Sequence, residues 1–119
     1  MTTVLLATDS VHATAAGCDY LADRIGPDDG VIALTVLEAD GVDAERDAAD
    51  ALNVATVRLP GVVETERREG DAAAAILRVA AERETDEIVL VALESGDVGS
   101  TIRAVLADAD RPVVVVQPA

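Results

Sequence analysis

Five short strand-like runs, separated by four stretches whose apolar residues recur at helical spacing, leave this chain few folds to adopt. The runs are Thr3 to Ala7, Val31 to Leu37, Val62 to Arg68, Glu87 to Leu93 and Val113 to Val116. Between the first two, Val11 to Ile25 carries Thr14, Cys18, Leu21 and Ile25 as an inward stripe, and Gly26-Pro27 stops it. From about Val42 to Arg58 the stripe is Ala48, Leu52, Ala55 and Leu59, with Asp43, Glu45, Arg46, Asp47 and Asp50 on the wet side and Pro60-Gly61 as the stop. Gly70-Asp71 turns and caps a third helix built on Ala73, Ile76, Leu77 and Ala80; a fourth uses Ile102, Val105, Leu106 and Ala109.

Strict alternation of strand and helix predicts a single doubly wound three-layer α/β domain of the Rossmann-like kind, with a five-stranded parallel sheet, because parallel crossovers need a helix and are right-handed. The first, second and fourth runs are almost wholly apolar, as strands covered on both faces must be. The third alternates Val63, Thr65 and Arg67 against Val62, Glu64, Glu66 and Arg68, which suits an edge. Strand order 3-2-1-4-5 satisfies both conditions and puts a switch point between strands one and four, where ligands of such sheets bind.

The core of such a domain has to be aliphatic. The chain holds no Trp or Phe and one Tyr, yet half its residues are hydrophobic. Its 119 residues suit one domain, 1–119. Charge excludes more: 23 acids against nine bases leave a net charge of −14, and every base is an arginine. Nucleic-acid binding needs clustered cations and stacking aromatics, both missing. No apolar stretch reaches the roughly 18 to 20 residues of a membrane span, and no basic region precedes an apolar leader, so a cytoplasmic location is expected. Surplus carboxylate with no lysine suits a salt-loaded cytoplasm and predicts a fold that loosens at low ionic strength. The lone Cys18 has no disulfide or metal partner and reads as a small core residue. The acidic run Asp40 to Asp50 has no calcium-loop spacing and reads as a solvated helix face, so no metal site is expected. Arg67-Arg68 pairs with neighbouring glutamates.

The stretch Glu94 to Thr101, Glu-Ser-Gly-Asp-Val-Gly-Ser-Thr, leads from the fourth strand into the last helix and flanks the predicted crevice opposite Asp9-Ser10. Gly96 and Gly99 free the backbone there, and Ser100 and Thr101 offer hydroxyls for helix capping or for phosphate. Asp9 reads as an N-cap for the first helix. His12 stands in an exposed first turn with no nucleophile beside it.

Taken in order, these segments resemble the universal stress protein family over nearly the full length. The matching features are Val4 to Ala7 followed by Thr8-Asp9-Ser10, Val36 closing the second strand, Gly70-Asp71 with Ile76, and Asp86-Glu87-Ile88-Val89. Gly99-Ser100 and then Pro112 to Val116 complete the set. The resemblance implies a nucleotide contact at Asp9 and Ser10, a backbone contact to adenine at Val36, and phosphate contacts at Gly96, Gly99, Ser100 and Thr101. The family's ATP-binding members carry G-x2-G-x9-G-[ST]. Here the first two glycines fall at Val91 and Glu94, and the spacer shrinks to the four residues Ser95 to Val98. Glu94 and Asp97 in a phosphate cradle oppose an anion unless a cation such as Mg accompanies it.

Two functions follow. One is a dimeric stress-response or regulatory module with a degenerate nucleotide site and no catalysis; the other is an ATP-binding, slowly hydrolysing switch. Neither a Walker-type lysine nor a His beside a nucleophile is present, so no catalytic residues are expected. A flavodoxin-like carrier needs a glycine-bearing phosphate loop after strand one, and Thr8 to Thr14 has no glycine. An edge of four valines, Val113, Val114, Val115 and Val116, demands cover, and the resemblance implies antiparallel pairing with its copy in a homodimer.

Overall fold

The computed structural model describes residues 2–37, 42–92 and 98–118. Strands β1 (Thr3–Ala7), β2 (Gly30–Leu37), β3 (Val62–Glu69), β4 (Glu87–Val91) and β5 (Val113–Val116) alternate with helices α1 (Val11–Ala22), α2 (Val42–Arg58), α3 (Ala72–Glu82) and α4 (Ser100–Asp108). All strand pairs are parallel, and the order is β3-β2-β1-β4-β5. This is the predicted doubly wound sheet with the predicted order.

Two cores follow from the pleat, since alternate residues of each strand face opposite layers. Leu5, Ile32, Leu34, Ile88 and Leu90 meet Ile76 and Val79 of α3 and Ile102 and Val105 of α4. Val4, Leu6, Val31, Ala33 and Val89 meet Cys18, Leu21, Leu52 and Ala55 of α1 and α2. The α1 and α2 stripes are buried as read from the sequence, and Ala51 and Val79 join the cores unannounced. Burial pushes the Cys18 thiol up to about 11, so at neutral pH it is a protonated core residue.

Two boundaries and one core position depart from expectation. Helix α1 ends at Ala22, because the Arg24 and Ile25 amides both donate to the Leu21 carbonyl and tighten the last turn. Strand β4 ends at Val91, and Leu93 lies outside the described residues. Leu106 is 48 % exposed, since nine residues of α4 bury only Ile102 and Val105 fully.

Edge strand β3 is held to α3 by charge rather than by apolar contact. Arg68 bonds Glu66 at 2.6 Å and Glu82 of α3 at 2.9 Å, and Arg83 joins Glu64 and Glu66. Arg68 therefore pairs as the sequence suggested, but half of its partners come from the helix. At the same C-terminal end of α3, Arg111 donates one guanidinium N–H pair to the Ala80 and Thr85 carbonyls at 2.7 and 2.8 Å, closing the helix against the approach to β5.

Candidate functional site

The β1–α1 turn is fixed by hydroxyls. Ser10, in extended backbone, caps α1 by accepting the Ala13 amide at 3.1 Å. Its carbonyl accepts the Thr14 hydroxyl at 2.8 Å, and the Thr8 and Thr14 hydroxyls lie 2.7 Å apart in the core. The Thr8 amide donates to the Leu34 carbonyl at 2.9 Å, continuing the β1–β2 ladder one residue past the strand. The cap is thus Ser10 and not Asp9, which corrects the sequence reading: one oxygen serves the helix, and the preceding carboxylate stays exposed at the rim of the crevice.

Across the crevice α4 begins at Ser100 with Gly99 in the cap position (φ −72°, ψ 172°). Glycine has no side chain to offer, and among the described residues no side chain caps this helix. The capping role expected of Ser100 and Thr101 is therefore absent: they are already inside the first turn. The Arg103 amide makes the first intrahelical bond, to the Gly99 carbonyl at 3.1 Å. The amides before it have no partner inside the helix, and the positive end of α4 opens on the crevice.

Between these two turns lies a cleft of about 640 Å³ at the carboxyl ends of β1, β2 and β4. Asp9, Val36, Gly99, Ser100 and Thr101 all line it, so most of the residues singled out in the sequence converge. Ser10 is not in its lining, its hydroxyl being engaged by α1. Gly96, with Glu94 and Asp97, lies outside the described residues. Val36 is half-buried and packs on the α3/α4 core, while Leu34, Ile76 and Leu90 give the floor its apolar surface.

Two further polar residues line the cleft without any sequence signal. Asp47, exposed on α2, brings a second carboxylate to the wall that holds Asp9. Thr35 on β2 is buried, and its Oγ1 has no hydrogen-bond partner among the described residues. An orphaned buried hydroxyl costs about 1–3 kcal/mol. Its place inside an apolar run concealed it, for a threonine in a buried strand ordinarily reads as a β-branched core residue. The cleft is consequently polarised. One end offers amide donors and a positive helix dipole; the other offers acceptors. Among the described residues, no group of three or more His, Cys, Asp or Glu side chains is arranged to hold a metal ion, and no helix is long and apolar enough to cross a membrane.

Architecture and cleft together define a doubly wound α/β module with a ligand crevice at the switch point of its sheet. No protein-family model matches the sequence, and no curated protein matches it. Solved structures do. A universal stress protein family protein from Arabidopsis thaliana with AMP bound is 14% identical at a TM-score of 0.79, covering 100% of this chain and 93% of its own. A universal stress protein in complex with cAMP is 18% identical with a TM-score of 0.77, covering 99% and 98%. One from Archaeoglobus fulgidus in complex with dAMP is 17% identical with a TM-score of 0.70, covering 98% of each. The chain has the fold of the universal stress proteins.

Proposed function

We propose that this chain is a universal stress protein-like regulatory module of a salt-rich cytoplasm, non-catalytic and dimeric, whose cleft takes a nucleoside monophosphate. The observation that carries the reading is the N-terminus of α4, with a glycine in the cap position, opening on the same cleft as Asp9. Backbone amides at a helix N-terminus suit a phosphate, and carboxylate acceptors suit ribose hydroxyls or a base amine. Three structures of the same fold hold AMP, dAMP or cAMP. The shortened spacer between Glu94 and Gly99 removes the backbone that would wrap a longer phosphate chain, and the acidic residues in that loop disfavour one.

Calorimetry in molar KCl tests this. AMP is expected to bind in roughly the micromolar range, and Mg-ATP no more tightly. Mg-ATP binding about tenfold tighter than AMP would replace the reading with a triphosphate switch. No heat with any nucleotide would overturn it.

The dimer rests on β5, which among the described residues pairs only with β4 and whose four valines are all half-buried in the single chain. Val113 and Val115 pack toward one core, Val114 and Val116 toward the other, and the outer backbone edge is left for a partner strand. Size-exclusion chromatography with light scattering in molar KCl should give twice the chain mass. Replacing Val115 by proline, which removes an edge amide, should give the monomer. A wild-type monomer at micromolar concentration would rule the dimer out.

A further inference from the structure

The cleft wall contains one polar atom that the fold leaves unsatisfied. Thr35 is 3 % exposed, lines the cleft, and its Oγ1 has no partner among the described residues. The other buried threonines are not like this. Thr8 and Thr14 share a hydrogen bond and both reach the Ser10 carbonyl, and Thr85 donates to the Ala80 carbonyl. Buried hydroxyls in folded proteins are paired with few exceptions, and valine would fill the same volume on a β-strand without leaving an oxygen unpaired.

We propose that Thr35 is a specificity-determining contact of the cleft, its hydroxyl pairing with the polar edge of the bound nucleobase; this rests on the nucleotide reading above. Strand order supplies the geometry. The phosphate belongs at the N-terminus of α4, which follows β4, and β1 separates β4 from β2. Two inter-strand spacings put β2 about 10 Å away, so a mononucleotide anchored at α4 crosses β1 and lays its base over the end of β2. Thr35 shares the α1/α2 face of β2 with Val31 and Ala33, and on that side α2 brings Ala44 and Ala48 to the cleft lining, apolar surface for the plane of a base. Asp9 and Asp47 at the same wall only accept hydrogen bonds, whereas the threonine hydroxyl both donates and accepts. A base edge carrying an amine next to a ring nitrogen satisfies this set; an oxo group in the place of the amine sets acceptor against acceptor.

The test is calorimetry of wild type, Thr35→Val and Thr35→Ser with AMP and with IMP, which has an oxo group where AMP has its amine, together with melting of each ligand-free protein in molar KCl. Thr35→Val should bind AMP about five- to tenfold more weakly, with much of the AMP-over-IMP preference lost, and Thr35→Ser should recover most of the affinity. Ligand-free Thr35→Val should melt no lower than wild type, because it removes an unpaired oxygen. A wild type that binds AMP alongside a Thr35→Val that binds it equally well overturns the assignment while leaving the nucleotide reading in place. A ligand-free Thr35→Val that melts several degrees lower overturns it too, by making the hydroxyl structural. A wild type that binds no nucleotide fails the nucleotide reading itself, and the assignment with it.

Discussion

In about 10 mM salt at pH 7 the protein melts far below its melting temperature in molar KCl, or does not fold at all. The chain carries 23 acids and nine arginines, so pairing every arginine still leaves 14 carboxylates unopposed. The fold concentrates them: a Cα radius of gyration of 12.9 Å corresponds to a sphere about 17 Å in radius. Screening by molar salt shortens the Debye length from about 30 Å to about 3 Å, and for that charge and size the repulsion relieved is on the order of 10 kcal/mol. The expanded chain gains only a few kcal/mol from the same screening, which leaves about 5–10 kcal/mol in favour of the fold. Salt also weakens the ion pairs, but they are the smaller effect. Arg58–Asp19 and Arg83–Glu66 have partly exposed partners and contribute about 0.2–1 kcal/mol each. Circular-dichroism melts at the two salt concentrations decide the matter, and equal midpoints would refute it. Neutralising three exposed acids, with Asp43→Asn, Asp50→Asn and Asp108→Asn, should flatten the salt dependence by roughly two-fifths, because self-repulsion scales with the square of net charge.

The sheet was legible in the sequence because burial on both faces leaves a mark that burial on one face does not. Val4 to Ala7, Val31 to Leu34 and Ile88 to Leu90 have no polar side chains, and all are buried in β1, β2 and β4. In β3 the alternating charges place it at an edge, and there it is. The crevice followed from that order, since Asp9 and Gly99 could meet only if β1 and β4 were neighbours. What stayed hidden depends on atoms rather than on pattern. Asp9 and Ser10 are equally good caps by type, and only the backbone at Ser10 decides between them. Ser100 and Thr101 fit a cap by composition, yet the helix begins one residue earlier than that role requires. Thr35 looks like any β-branched residue until its hydroxyl is seen to lack a partner. Asp47 looks like one more wet carboxylate on α2 until the helix lays it beside the cleft.

Gly61→Ala destabilises the fold by about 3 kcal/mol or more, against about 1–2 kcal/mol for Gly70→Ala, although both glycines end a helix or strand and both have positive φ. In sequence Gly61 reads as a helix stop after Pro60. Its surroundings ask for more than that. A Cβ there would sit 2.8 Å from the Asp29 carbonyl oxygen and 3.0 Å from that of Gly26, both backbone atoms that cannot swing aside. The same turn is tied from within: the Asp29 carboxylate accepts the Thr2 amide at 2.8 Å and the Gly26 amide at 2.9 Å, which hold its pKa below the usual value. Its carbonyl also accepts the Val62 amide that opens β3. Displacing Asp29 therefore disturbs the starts of β1, β2 and β3 together. Gly70 at φ 115° has nothing among the described residues within 4 Å of its Cβ position, so alanine there meets backbone strain alone. The difference between the two substitutions isolates the collision from the strain. Urea unfolding in molar KCl is the right measurement, since urea leaves the screening of the carboxylates unchanged as it is varied. Equal losses at the two positions would mean that the α2–β3 turn has room to yield, and that Gly61 serves the fold only through its φ.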